Sequence, residues 1–186
     1  NAWDRLQGRD GDGIWIHGVA EDGVRRPPRD TDGCIALPND ELLLLEPLLQ
    51  PTVTPVLVTR QIVWAGRAEL DSLQNRLEAA IASWQNSFTS GDLHRLLSMY
   101  ADDFSYRGMD RTEWASYRMQ SLAERRVDSM AVEELLLLAD PEDVGLYVSR
   151  FRLQIVGQDG SVAMTKRLYW RQVADGSLRI VAEDNG

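Results

Sequence analysis

The sequence predicts an α+β chain in two parts, a short β-rich segment followed by three helices and then four long strands. Three observations carry that reading. Apolar residues recur every three or four positions from Leu70 to Phe88, the spacing of one helix face. They alternate with period two through the C-terminal third, the spacing of half-buried strands. Before Gly66, short apolar runs alternate with Gly- and Pro-rich turn signals, too closely for long helices.

In the first part, Gly13 to Val19 reads as a strand and residues 20 to 33 as a Gly/Pro/Arg-rich loop. Asn39 then starts a helix as its N-cap, with Leu42, Leu45, Leu48 and Leu49 on one apolar face. Pro51 and Pro55 flank Thr52 to Thr54. Beyond them Val56-Leu57-Val58 and Ile62-Val63-Trp64 are β-branched runs expected to complete the first sheet. The period changes at Gly66 to Glu69, so the expected division is 1–65, a linker at 66–69, and 70–186.

The second part opens with a helix whose stripe is Leu70, Leu73, Leu77, Ile81, Trp84 and Phe88, stopped by Ser90-Gly91-Asp92. A short helix places Leu93, Leu96, Leu97 and Tyr100 inward, and Ala101-Asp102-Asp103 reads as a turn. Asp110 and Glu113 form a capping box for a third helix carrying Trp114, Tyr117 and Leu122. Strands follow at Ala131 to Leu138, Val144 to Val156, Ser161 to Val173 and Leu178 to Glu183, joined by Asp- and Gly-containing turns.

Composition bounds the function. The 186 residues suffice for one large or two small domains with a buried core. A net charge of −9 offers no basic stripe to neutralise phosphates, so no nucleic-acid partner is expected. Among the basic residues Lys166 is the one lysine, read as a compositional bias. One cysteine and two histidines exclude a disulfide framework and an ordinary zinc site, and no cofactor or metal is expected. Glu46 and Pro47 interrupt the richest apolar run, Leu42 to Leu49, so no transmembrane segment is expected. The chain opens only shortly before its first strand and reads as truncated at the N-terminus, which leaves export open.

Chemistry concentrates where the single cysteine lies downstream of one of the two histidines. Gly13-Ile14-Trp15-Ile16-His17-Gly18 is followed by Thr31-Asp32-Gly33-Cys34-Ile35. A cysteine nucleophile needs an imidazole to take its proton and backbone N–H groups to receive an oxyanion. Gly33 permits the tight turn that offers such donors. A lone cysteine is otherwise a small buried hydrophobe, and His94, in a helical pattern, gets no role.

An apolar strand ending in His-Gly and a later Thr-x-Gly-Cys-Ile resembles the signature of the YkuD-type L,D-transpeptidases, some of which are L,D-carboxypeptidases. The resemblance implies that Cys34 attacks the carbonyl between a diamino acid and D-Ala in a peptidoglycan tetrapeptide stem, releasing D-Ala and leaving a thioester. An amine acceptor would give a crosslink, and water a trimmed tripeptide. It further implies His17 as general base, the Gly18 carbonyl as the group that orients it, and Gly33 with Cys34 as the oxyanion region. Asp32 and Ala36 replace the second histidine and the arginine common in the family. Candidate substrate contacts are then Asp32 and the loop cations Arg25, Arg26 and Arg29, although such a charge run is more often a solvated surface than a specific clamp. Asp4-Arg5-Leu6-Gln7-Gly8, ahead of the His-Gly strand, looks most like the branch with an extra C-terminal domain. The segment 1–65 would then be the C-terminal part of a β-rich catalytic domain, inactive as a fragment.

Residues 70–186, with Trp84, Ser90-Gly91-Asp92 and Tyr100-Ala101-Asp102-Asp103-Phe104, resemble the nuclear transport factor 2-like, or SnoaL-like, cone. That resemblance implies helices packed in a curved antiparallel sheet around an open-mouthed cavity. Trp84, Tyr106, Trp114, Tyr117, Tyr169 and Trp170 are the candidates to line it, although helical and alternating aromatics are also what core packing alone produces.

Three function classes follow. The first is a cell-wall enzyme acting on peptidoglycan stem peptides in the periplasm or cell envelope of a bacterium. The second is a non-catalytic wall- or partner-binding module, or a homodimer, acting through the cone. The third makes the cone itself an enzyme, and no histidine and carboxylate pair marks a site there.

Overall fold

A computed structural model of the chain describes residues 1–9, 13–21, 27, 30–51, 53–124 and 127–185, without the side chains of Leu122 and Glu124. It divides into two compact units, Asp4–Val58 and a larger one formed by Asn1–Trp3 with Thr59–Gly186. The chain opens on helix α1, Ala2–Leu6.

In the smaller unit, β1 (Ile16–His17) pairs in parallel with β2 (Ile35–Ala36), in the register Ile16 to Ile35 and His17 to Ala36. Backbone bonds extend the ladder at both ends, from Ile35 N–H to the Trp15 carbonyl (2.8 Å) and from Leu37 N–H to the His17 carbonyl (2.9 Å). The strand expected over Gly13–Val19 is thus reduced to its centre. Gly13 has φ +65°, off the extended path, and Pro38 ends the partner beyond Leu37.

Helix α2, Asn39–Leu45, runs into a 3₁₀ turn at Glu46–Leu48. Leu42, Leu45 and Leu49 are half-buried and Leu48 is exposed. Asn39 begins the helix but is not its cap. Pro38 holds that position without a side-chain bond, and the Asn39 carboxamide is used elsewhere. Val56-Leu57-Val58 and Ile62-Val63-Trp64 form no strands. Strand propensity is realised only where an edge accepts the backbone, and Val63 and Trp64 are 85% and 87% exposed.

The larger unit is a cone. Helix α3 (Arg67–Thr89) buries Leu77, Ile81, Trp84 and Phe88 on one face. Asp92 caps α4 (Leu93–Ser98), its carboxylate accepting from Arg95 N–H at 2.9 Å. After β3 (Tyr100–Tyr106) and β4 (Met109–Asp110), the capping box of α5 (Arg111–Glu124) closes as the sequence predicts. Asp110 accepts from Glu113 N–H (2.9 Å), and Glu113 accepts from Asp110 N–H (3.0 Å). The strands β5 (Val127–Ala139), β6 (Leu146–Gly157), β7 (Gly160–Gln172) and β8 (Leu178–Asn185) lie within a few residues of expectation.

The sheet order is β4-β3-β8-β7-β6-β5, and β3 lies parallel to β8. The sheet is therefore mixed rather than purely antiparallel. Ala101-Asp102-Asp103, expected as a turn, lies inside β3, which pairs with β8 at Tyr100 and Ser105 on either side of a register shift, while Asp102 and Asp103 pair with Arg111 and Arg171. Two residues of β5, Glu134 and Leu135, stand opposite Phe151 alone, with Glu134 at φ +53°. Such a bulge increases local bend and twist, which a sheet wrapping a helix requires.

The core centres on three mutually packed aromatics, Tyr100, Phe104 and Trp114, with ring centroids 4.1 to 5.4 Å apart. A second cluster gathers Leu146, Tyr169 and Val181 around Trp3, whose indole N–H donates to Asp143 at 2.7 Å beneath the Arg171 guanidinium.

Candidate active site and cone pocket

The β1–β2 register determines the first site. His17 ends β1, and Cys34 immediately precedes β2 on the adjacent parallel strand. His17 Nδ1 lies 2.6 Å from the Gly18 carbonyl oxygen. A carbonyl only accepts, so this contact places the ring proton on Nδ1 and leaves Nε2 free to act as a base. The half-buried Cys34 thiol donates to the Gly13 carbonyl at 3.6 Å. In this resting geometry the thiol proton is therefore directed at the backbone; catalytic hydrogen bonds commonly tighten only with substrate bound.

Gly33 has φ +120°, a region that disfavours any side chain, and a Cβ there would stand 2.8 Å from Ile14 Cδ1. Glycine is thus required twice over in front of Cys34. The Thr31 hydroxyl donates to the Cys34 carbonyl at 2.6 Å and fixes the same turn. Asp32 is exposed. Arg25, Arg26 and Arg29 lie outside the described residues.

The second site lies in the cone, where a cavity of about 330 Å³ is lined by Trp84, Tyr106, Tyr117, Arg118 and Lys166 among others. Of the six aromatics expected there, Trp84, Tyr106 and Tyr117 line it. Trp114 and Trp170 are wholly buried in the core, and Tyr169 faces the Trp3 cluster. Strand alternation accounts for the last: neighbouring Tyr169 and Trp170 point to opposite faces of β7, so both could not enter one cavity.

Beside this cavity lies a polar network that sequence reasoning missed. Glu183, on β8, has no exposed side-chain surface, and its Oε1 lies 3.0 Å from Lys166 Nζ and 3.3 Å from Arg118 Nη2. Trp114 Nε1–H donates to the same oxygen at 3.2 Å, and the Tyr100 hydroxyl donates to Oε2 at 3.0 Å. The Trp84 indole N–H in turn donates to that hydroxyl at 3.0 Å.

Burial alone would raise the Glu183 pKa, but the Lys166 and Arg118 cations outweigh it and hold the carboxyl below its ordinary value. Lys166 moves down instead, because burial and the like charge of Arg118 outweigh the Glu183 and Asp184 carboxylates. Burial, reinforced by Glu183, pushes the Tyr100 hydroxyl well up. Arg118 Nε is buried with no hydrogen-bond partner among the described residues. The cavity wall carries both signs of charge, with Asp159 lining it beside the Lys166 and Arg118 cations that hold Glu183. One cue was available in the sequence: the sole lysine sits inside an apolar strand.

Among the described residues no group of three or more His, Cys, Asp or Glu side chains could hold a metal ion, and no helix is long and apolar enough to cross a membrane.

Family and structural comparisons agree with this layout. The family model of the Cds6 C-terminal NTF2-like domain matches residues 76–184, and that of the YkuD L,D-transpeptidase catalytic domain matches residues 1–58. None of the curated proteins matches the chain. The helical cell shape determining protein Pgp2 from Campylobacter jejuni is 26% identical, with a TM-score of 0.77 over 99% of this chain and 65% of that one. Bd1075 of Bdellovibrio bacteriovorus shares the fold at 18% identity, with a TM-score of 0.80 over 100% of this chain and 65% of its own. The chain thus spans 65% of the length of each. An NTF2-like protein of unknown function from Pseudomonas putida matches 62% of the chain at 12% identity and a TM-score of 0.54. By its match over 76–184, the chain belongs to the family of Cds6 C-terminal NTF2-like domains, and a segment of YkuD L,D-transpeptidase catalytic domain precedes that domain in the sequence.

Proposed function

We propose that this chain is part of a peptidoglycan-modifying cysteine enzyme of the bacterial periplasm or cell envelope, with Cys34 as nucleophile and His17 as base. The observation that carries the reading is the His17 Nδ1 contact with the Gly18 carbonyl, which leaves Nε2 to receive a thiol proton. The Cys34 thiolate attacks the carbonyl carbon between the diamino acid and D-Ala, and backbone N–H groups at Gly33 and Cys34 receive the oxyanion. The C–N bond breaks as imidazolium returns its proton to the departing D-Ala amine. The resulting thioester is cleaved by water, giving a tripeptide, or by an amine, giving a crosslink, and the thiol is regenerated. Likeness to a cell-shape determining protein supports a role in trimming or linking stems that set cell form. Replacing Cys34 with Ala in the whole protein is expected to abolish release of D-Ala from tetrapeptide muropeptides. Release at the parent rate would refute the assignment.

A second reading is favoured by the cone cavity. The Arg118 and Lys166 side chains and the unpartnered Arg118 Nε, beside the aromatic Trp84 and Tyr106, suit a wall fragment that combines hydrogen-bond acceptors with an apolar portion. On this reading the cone binds wall material independently of catalysis. Titration calorimetry with soluble muropeptides should give the same affinity for Cys34→Ala as for the parent, and at least tenfold weaker binding for Arg118→Gln, within the range expected for a desolvated charge contact. Equal affinity for Arg118→Gln and the parent would exclude the cavity as the binding site.

A further inference from the structure

Asn39 joins the two halves of the catalytic segment in a way that neither the family signature nor helix capping requires. In the parallel ladder, the carbonyls of Trp15 and His17 receive the backbone N–H groups of Ile35 and Leu37. The next bond in that series would run from Asn39 N–H to the Val19 carbonyl. Pro38 has already turned the chain into α2, so the Asn39 backbone belongs to the helix. Its side chain substitutes: Nδ2 donates to the Val19 carbonyl at 3.1 Å, and Oδ1 accepts from Val19 N–H at 2.9 Å. One carboxamide thereby serves as the missing peptide unit of β2.

Gly18 sits between this clamp and the catalytic imidazole. A Cβ on Gly18 would lie 2.2 Å from Asn39 Oδ1, so the carboxamide occupies the space any side chain would take. The Gly18 peptide carbonyl is bonded directly to Val19 N, the atom that donates to Asn39, and the same carbonyl oxygen holds His17 Nδ1 at 2.6 Å.

We infer that Asn39 is a positioning residue for the Cys34 reaction: by clamping Val19 it fixes the Gly18 peptide plane, and through that carbonyl the tautomer and orientation of His17. The inference rests on the catalytic reading above, yet the clamp itself is readable without turnover. Release of Val19 frees the Gly18 peptide to rotate, the carbonyl leaves Nδ1, and the ring populates the tautomer whose Nε2 carries the proton and cannot act as a base.

The test uses the whole protein and two variants, Asn39→Ala, which removes both bonds, and Asn39→Asp, which keeps the acceptor for Val19 N–H and loses the donor. The first readout is the ¹⁵N spectrum of the His17 ring, assigned against His17→Gln. The parent should show a single Nδ1–H tautomer, Asn39→Ala a mixture, and Asn39→Asp an intermediate pattern. The second is the kinetic split on tetrapeptide muropeptides, with kcat about tenfold lower in Asn39→Ala and KM unchanged, as misplacement of a base predicts. Should Asn39→Ala not fold, Asn39→Asp carries both readouts, since it preserves the shape of the side chain. A lowered melting temperature with the tautomer and kcat of the parent would show a purely structural bond and overturn the inference. A parent without turnover would sink the catalytic reading alone, because the ring spectrum still reports whether Asn39 fixes His17.

Discussion

Replacing Lys166 with Met tests whether the buried network of the cone is held together as an ion cluster. Lys166 and Glu183 have 3% and 0% of their side-chain surface exposed, with 3.0 Å between charged atoms. Methionine fills much of the same volume but leaves the Glu183 carboxylate short of its nearest cation. Breaking a buried pair from one side costs about 3 to 5 kcal/mol. Arg118, Tyr100 and Trp114 still contact Glu183, so the expected loss lies at the lower end, about 3 kcal/mol. At roughly 2 to 4 °C per kcal/mol for a chain of this size, the cone transition should fall by about 6 to 12 °C. Fluorescence of the buried Trp84, Trp114 and Trp170, followed through urea and thermal unfolding, reads that transition. The double variant Lys166→Met/Glu183→Gln should cost at least about 1 kcal/mol less than the two single changes summed, because the partners act on each other. A loss under about 1 kcal/mol for Lys166→Met, or strict additivity, would refute the cluster as a cooperative unit.

Other outcomes follow from the same geometry. The folded-state pKa of Glu183 lies below its ordinary 4.5, so its stabilisation is complete above that value and is lost as pH falls through the folded-state value. Urea midpoints between pH 6 and pH 3 should therefore decline less steeply in Glu183→Gln than in the parent, and parallel declines would contradict the assignment. Gly33→Ala forces a side chain onto φ +120° against Ile14, a strain of about 1 to 3 kcal/mol. It should cut D-Ala release at least tenfold while leaving the cone's urea transition unmoved; parent-like release would show the turn is not needed. Trp3→Ala empties the cluster of Leu146, Tyr169 and Val181 and strips a donor from Asp143, so the cone should lose about 3 kcal/mol in urea unfolding. An unchanged midpoint would show that the first residues add nothing to it.

What the sequence revealed depends on how local the cause is. The stripe of α3, the Asp110–Glu113 capping box and the four long strands depend on spacing within one element, and all were legible. Strand β3 was not, because Asp102 and Asp103 read as a turn until β8 supplies a parallel neighbour about eighty residues away. The opposite error befell Val56-Leu57-Val58 and Ile62-Val63-Trp64, where local propensity is not realised in pairing and both runs stay exposed.

The same division holds at the sites. The His17-Gly18 and Gly33-Cys34 motifs were readable as words, and the fold adds that Gly18 is constrained by Asn39 and Gly33 by Ile14. Asn39 reads as a cap in the sequence, because asparagine at the start of a helix has the same signature whichever way its carboxamide turns. The Glu183 network joins residues from β3, α5, β7 and β8, so only the fold brings it together. The lone lysine is its one trace in the sequence, and compositional bias produces the same trace.

The most direct test of the central claim is to incubate the whole protein with tetrapeptide muropeptides and resolve the products by liquid chromatography and mass spectrometry. The account predicts loss of one D-Ala per stem, wholly dependent on Cys34, with a tripeptide product marking hydrolysis and a larger linked product marking transfer to an amine. Unchanged tetrapeptide masses, or D-Ala loss that persists in Cys34→Ala, would contradict it.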